Sequence, residues 1–220
     1  MRILFIHGFG EDETIFSKIT PAIGGEQVLL NVWALLGNEP RPDLNVLDFA
    51  KEIVDHYDIS EKDVIIGHSM GGWIAYHIKQ VTGSRIVQIA SWTHRNRVIL
   101  PISNVNFLYW AVRKGLFFHS FSKRLYTYLG YKNKPSKDVF RSTFDRLAEG
   151  NKENVINQLR LILTPLPQKG TIKPDLRIHA HKDIVIRPPH EPFHIVSGDH
   201  FTLYTHPHEV YEPIVDFLKQ

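Results

Sequence analysis

The stretch DVIIGHSMGGWIAYHI, residues 63–78, changes period in its middle. Val64-Ile65-Ile66 is a continuous apolar run of the kind found in a strand buried on both faces. From Ile74 onward the apolar residues recur at helical spacing, on Ile74, Ala75, Ile78 and Val81, until Gly83 offers a stop. Between the two lies Gly67-His68-Ser69-Met70-Gly71, which reads as a sharp strand-to-helix turn. Small residues flank the hydroxyl so that the chains can pass, and the first amides of the helix point at the same spot. Such a turn pushes one serine oxygen beyond the edge of a sheet.

The same alternation runs outward in both directions. Ile3–Ile6 is a short apolar strand ending at His7-Gly8, and Gln27–Val32 reads as the next. Asp43–Tyr57 carries Val46, Leu47, Phe49, Ala50, Ile53, Val54 and Tyr57 on an amphipathic helical stripe. Arg85–Ala90, Leu176–Ala180 and Phe193–Val196 are three further strands. A last helix opens near His206-Pro207 and is expected to bury Val210, Ile214, Phe217 and Leu218, with Pro213 kinking or splitting it. Strands alternating with helices predict a mostly parallel sheet of about six strands with helices on both faces. The alternation fails from about 98 to 163, where two aromatic clusters precede two helical patterns. One pattern is built on Val139, Phe140, Phe144 and Leu147, the other on Val155, Ile156, Leu159, Ile162 and Leu163. That segment is too apolar for a linker and reads as a helical insertion within one domain spanning 1–220.

Composition narrows the field. The chain has 220 residues, 43% of them hydrophobic, enough for one sizeable core. The formal charge of +3 is mild, and without a recognition motif nucleic acid is not an expected partner. There is no cysteine, so disulfides, thiolate chemistry and cysteine-based zinc sites are excluded. No apolar run approaches a signal core or a membrane span, so membrane insertion is not expected and a cytoplasmic protein is. The cations Arg113, Lys114, Lys123 and Arg124 read as a solvated face of the insertion. Oligomeric state is not legible.

A serine hydroxyl requires a base, an orienting acid and donors for the oxyanion before it attacks anything. His7-Gly8-Phe9-Gly10 closes the first strand at the edge where Ser69 emerges, so the amides of Phe9 and Met70 are the candidate oxyanion donors. Thirteen histidines compete for the base. His200, in Ser197-Gly198-Asp199-His200-Phe201, lies just past the last strand at that same edge. His206 and His208 fall at a helix start, while His68, His77, His94, His119 and His190 lack supporting neighbours. His179 and His181 form an H-x-H without a third ligand at helical spacing, so no metal is expected. For the acid, Asp183 follows the Leu176–Ala180 strand at the correct edge, whereas Asp175 precedes it and Asp199 adjoins His200.

With these residues in place the chain resembles the α/β-hydrolase superfamily over essentially its whole length. The resemblance rests on ILFIHGFG, VIIGHSMGG, IHAHKD and GDHFTLYTHPHEV. It implies a nucleophile, acid and base in the order Ser69, Asp183, His200, no cofactor, and hydrolysis of a small, largely apolar ester or thioester through an acyl-enzyme. The insertion would then be a cap, with Phe9, Trp92, Phe107, Trp110 and Phe118 as candidate pocket residues. The serine argues against the aspartate-nucleophile dehalogenases and epoxide hydrolases of that superfamily. An acyltransferase, a C–C bond hydrolase and a ligand-binding receptor on the same scaffold remain open. The chain departs from the usual pattern in three ways. The antiparallel strands that usually open the sheet are absent. The Asp183-to-His200 interval is short enough to reduce a helix to a loop around Pro188-Pro189. Ala180-His181 stands where a glycine is common.

Overall fold

Six strands, all parallel, form one sheet in the order β2-β1-β3-β4-β5-β6. They are β1 (Arg2–Ile6), β2 (Glu26–Leu30), β3 (Val64–His68), β4 (Arg85–Ile89), β5 (Leu176–Ala180) and β6 (His194–Val196). The structure is a computed structural model and describes residues 1–100, 102, 104–166 and 172–220. Pro101 and Ser103, inside the expected insertion, lie outside the described residues. Among the described residues every strand pairing within the sheet is parallel, and β1 lies between β2 and β3.

Between β2 and β4 the chain forms α1 (Val32–Leu36), α2 (Val46–Tyr57) and α3 (Met70–Thr82). Helix α1 replaces the end of the expected second strand. Asn31 turns the chain there, its side chain accepting from the Ala34 N–H as an N-cap. Asn45 caps α2 in the same way, so that helix starts at Val46, the first residue of its apolar stripe, three residues later than the expected Asp43. Helix α3 ends at Gly83 in the left-handed conformation, φ 77°, but Val81 is exposed rather than part of the buried stripe.

The segment between β4 and β5 holds α4 (Val105–Arg113), α5 (Ser120–Tyr126) running into a π-helical turn at Thr127–Tyr131, α6 (Lys137–Glu149) and α7 (Lys152–Leu163). Helix α7 is buried along its length from Asn154 to Leu163 and packs on α1, α2, α3 and α4. Two short-range elements close the chain, α8 (Thr202–Thr205) and α9 (Pro207–Leu218). Pro213 does not break α9. It forfeits only the N–H that would reach the Glu209 carbonyl, and Phe217 and Leu218 are partly rather than fully buried.

The sheet separates two apolar cores, as a doubly covered parallel sheet must. Leu4, Ile6, Ile65 and Ile86 face α2, α3 and α7; Ile3, Phe5, Ile66, Val87 and Ile178 face α9 and the 3₁₀ turn Glu13–Phe16. Strand β5 breaks the symmetry. Its Ile178 and Ala180 belong to the α9 side, while Arg177 and His179 alternate onto the other. Among the described residues no helix joins β5 to β6, and the loop 181–193 covers this flank instead, with Glu191 on Arg177 and Phe193 against His179. A cavity of about 790 Å³ runs there along α3, walled by Trp73, Tyr76, His77, Ile162 and Arg177.

Candidate active site

Ser69 sits between β3 and α3 with φ 52° and ψ −119°, a backbone conformation that costs an L-residue on the order of 1–3 kcal/mol. Packing on every side maintains it. A Cβ on Gly67 would fall 2.4 Å from the Gly71 backbone, and one on Gly71 would fall 1.8 Å from the Ile6 carbonyl oxygen. Helix α3 therefore rests directly on β1 and β3 only because both positions are glycine. The Ser69 N–H donates to the Ile89 carbonyl at 3.0 Å, and Ser91 Oγ donates to the Ser69 carbonyl at 2.7 Å. The strained turn is held at both ends.

Ser69 Oγ lies 3.0 Å from His200 Nε2, and His200 Nδ1 lies 2.8 Å from Asp183 Oδ2. The three are 131 and 17 positions apart in sequence and all are buried. Asp183 Oδ1 accepts from the N–H groups of Val185 and Ile186 at 2.8 and 2.9 Å, which fixes the rotation of the carboxylate. Burial would push the Asp183 carboxyl up, but the His200 charge and hydrogen bond outweigh it, and the carboxyl is held below its usual range. Burial likewise opposes the His200 imidazolium, and the Asp183 carboxylate, with Glu11 and Asp199 beyond it, raises the imidazole above its usual 6.5. His179 Nε2 is 3.4 Å from Asp183 Oδ2 and bonds the Ile186 carbonyl at 3.2 Å. Desolvation lowers that imidazole to about 4, so at neutral pH it is uncharged. Among the described residues no group of three histidine, aspartate or glutamate side chains is arranged to hold a metal.

The Gly8 turn reaches the same point. A Cβ at Gly8 would come within 2.9 Å of the Ser69 Cβ, so the Phe9 amide lies beside the nucleophile turn. Among the described residues neither the Phe9 nor the Met70 N–H is taken by a protein acceptor, whereas the next amide, Gly10, donates to Gln158 Oε1 at 3.0 Å. His7 clamps the turn from behind: its Nδ1–H donates to the Gly8 carbonyl and its Nε2 accepts from the Val32 N–H at 3.1 Å.

Two residues that the sequence did not single out complete the arrangement. Glu11 is buried, and its Oε2 accepts from the Gly8 N–H at 2.7 Å and faces His68 Nδ1 at 2.8 Å. His68 Nε2 in turn faces the His200 carbonyl oxygen at 2.9 Å. Both imidazole nitrogens thus meet oxygen acceptors. Burial alone would raise the Glu11 carboxyl; the His68 charge and hydrogen bond reverse this and hold it low. The pair ties the Gly8 turn, the residue before the nucleophile and the loop of the base into one buried chain. The only sequence signal was an acidic residue one position after a glycine turn.

The expected pocket residues divide. Phe9 meets Phe118 at 6.2 Å between ring centroids, and Phe118 meets Phe144 at 5.4 Å, on the Gly10 side of the site. Trp92 is fully buried and stacked on Trp73, a core residue rather than a pocket wall. Phe107 and Trp110 touch each other at 5.6 Å and stand about half exposed, so they do not enclose a pocket either. The large cavity along α3 is lined by none of Ser69, Asp183 and His200. The helical segment instead reaches the base loop through Asp199, whose Oδ2 accepts from Ser136 Oγ at 2.5 Å, and through Tyr131 against Phe201 at 5.9 Å.

Comparison with known proteins agrees with this architecture. The chain belongs to the alpha/beta hydrolase family, whose profile matches residues 3–212. Among solved structures it is similar to the enol-lactonase from Burkholderia xenovorans, with a TM-score of 0.75 at 13% identity over 100% of this chain and 91% of that one. A hydrolase from Pseudomonas aeruginosa matches with a TM-score of 0.72 at 14% identity, covering 100% and 90% of the two chains. A thermophilic esterase from Thermogutta terrifontis matches at 0.68 and 16% identity, covering 100% and 89%. At these identities the likeness is one of fold. No curated protein matches the sequence significantly.

Proposed function

We propose that the chain is a serine hydrolase that cleaves a carboxylic ester or thioester of a small, largely apolar substrate through an acyl-enzyme. The observation that carries this reading is the relay Ser69 Oγ–His200 Nε2 at 3.0 Å and His200 Nδ1–Asp183 Oδ2 at 2.8 Å, built on a strained serine. In the proposed reaction His200 Nε2 takes the Ser69 proton as Oγ attacks the acyl carbonyl. Asp183 keeps the other ring proton on Nδ1 and stabilises the imidazolium that forms. The unclaimed amides of Phe9 and Met70 receive the oxyanion, each such donor being worth about 10²–10³ in turnover. The imidazolium then protonates the leaving alkoxide or thiolate, and water, activated by the same base, releases the acid. In this reading the chain is one domain, with the helices between β4 and β5 forming its cap and Phe9 and Phe118 at the apolar end of the acyl site.

A fluorophosphonate probe tests the proposal directly. It is expected to label Ser69 in the native protein, with labelling and turnover of short-chain acyl esters both lost in Ser69→Ala. Full esterase activity in that variant would overturn the mechanism.

A further inference from the structure

The helices α4 and α5 present to solvent what helices normally bury. Along α5 and the π-helical turn after it, Phe121, Leu125, Tyr128 and Leu129 recur at helical spacing on one face, and Phe121 and Leu129 are 69% and 70% exposed. Arg124 and Lys132 share that stripe, Lys132 lying 4.5 Å over the Tyr128 ring. The exposed face of α4 repeats the pattern with Phe107 and Trp110 followed by Arg113 and Lys114. On the inward side α4 carries Leu108, Ala111 and Val112 in the core and the π-helical turn carries Tyr131, while α5 buries none of its own residues. The segment is therefore packed on one side and apolar on the other.

Charge decides what would cover it. No aspartate or glutamate occurs between Asp63 and Asp138, so the apolar stripes are interleaved with cations only. Arg113 is paired with Glu153 and Lys123 with Asp145, but among the described residues Lys114, Arg124 and Lys132 have no ion pair. Two copies of this chain meeting through the face would bring like charges together. Cations beside exposed leucine, phenylalanine, tyrosine and tryptophan match the anionic headgroups and apolar boundary of a lipid surface. Among the described residues no helix is long and apolar enough to cross a membrane, so the contact is adsorption.

We propose that the solvent-facing side of α4 and α5, from Phe107 to Lys132, docks the protein on an anionic lipid bilayer. The arginines and lysines lie at the headgroup phosphates and Phe121, Leu125 and Leu129 at the acyl boundary. The cations that read as a solvated face in the sequence are, in this account, half of a two-part surface. Docking does not depend on the hydrolase reading.

Sedimentation with vesicles of equal parts phosphatidylcholine and phosphatidylserine, against pure phosphatidylcholine, tests it. The full chain should bind the mixed vesicles with a blue shift of tryptophan emission that Trp110→Phe diminishes, and bind the neutral vesicles much more weakly. Phe121→Ser/Leu129→Ser, both on the solvent side and so compatible with folding, should weaken binding at least about tenfold. Arg124→Gln/Lys132→Gln should cost about fivefold per cation removed, and about 1 M salt should erase that difference. Ser69→Ala should bind as the native chain does, so a failed hydrolase reading would leave this result intact. Absence of binding, equal affinity for both vesicles, or unchanged affinity in the variants would overturn the proposal. So would equal capture by polyglutamate, which would make the face a polyanion site. A dimer by light scattering that Phe121→Ser/Leu129→Ser converts to monomer would also overturn it.

Discussion

Replacing Glu11 by glutamine separates the buried pair behind the site from the relay in front of it. The Glu11 Oε2 atom serves two partners at once, the Gly8 N–H at 2.7 Å and His68 Nδ1 at 2.8 Å. A glutamine oxygen in the same place can still accept from both partners, with the NH₂ taking the position of the other carboxylate oxygen. What is lost is the negative charge that strengthens both bonds. A hydrogen bond to a charged group contributes about 1.5–3 kcal/mol net, so Glu11→Gln should lower stability by about 2 kcal/mol. For a chain of this size that is a fall of about 4–8 °C in Tm, read by circular dichroism at neutral pH. Glu11→Ala, which strands His68, should cost about 3–5 kcal/mol. The pH dependence fixes the cause. The Glu11 carboxyl is held below its usual 4.5 in the folded chain, so its contribution is complete above 4.5 and is lost as the pH falls through the depressed native value. The gap between native and Glu11→Gln proteins should therefore narrow in acid. Because His68 Nε2 faces the His200 carbonyl, the loop of the base should also loosen. Turnover should drop about ten- to a hundredfold with KM nearly unchanged, as small misplacements of reacting groups do. Equal Tm values at neutral pH, or a gap that persists unchanged in acid, would refute the reasoning.

Two further outcomes follow from the relay. Asp183→Asn should cost about 10⁴ in turnover, because Oδ1 must still accept from Val185 and Ile186 and the new NH₂ is forced toward His200 Nδ1. Nδ1 then accepts, the ring proton moves to Nε2, and the atom facing Ser69 can no longer take a proton; steady-state kinetics on a short-chain ester measures it, and near-native turnover would place the acid elsewhere. The raised His200 imidazole must be neutral to act, so kcat/KM should fall in acid with an apparent midpoint above 6.5. A limb centred below 6.5 would count against His200 as the base.

Much of this architecture was legible because its determinants are local. Ile3–Ile6 and Val64–Ile66 announce buried strands by being apolar without interruption, and a glycine-flanked serine between strand and helix has few structural uses. Edge assignment then needed only the chain direction: Ser69, Asp183 and His200 each follow a strand that runs the same way. What escaped depended on tertiary contacts that leave no periodic mark. Glu11 looks like a solvated loop residue until the Gly8 amide and His68 converge on it from elsewhere in the fold. Val81 fits the helical stripe of α3 but lies in its last turn, beyond the covering layer. Trp92, Phe107 and Trp110 were grouped as pocket residues by chemistry alone. The first is buried in the core and the other two face outward.

The short acid-to-base connection shows how the fold replaces a missing element. Where a helix between β5 and β6 would brace the acid loop, residues 97–99 do so instead. Val98 bridges Ile186 in antiparallel fashion, the Ile99 N–H donates to the Val185 carbonyl at 2.9 Å, and the Arg187 N–H donates to the Arg97 carbonyl at 2.9 Å. These bonds hold residues 185 and 187 on either side of Ile186, and the N–H groups at 185 and 186 hold Asp183 Oδ1. The carboxylate orientation is thus set by the segment that leads into α4. A displacement of the helices between β4 and β5 would be felt at Asp183 through 97–99 and at His200 through the Ser136–Asp199 bond. Losing the helix leaves Arg177 and His179 of β5 under a loop, against Glu191 and Phe193, and it ties the acid and the base to the same helical segment.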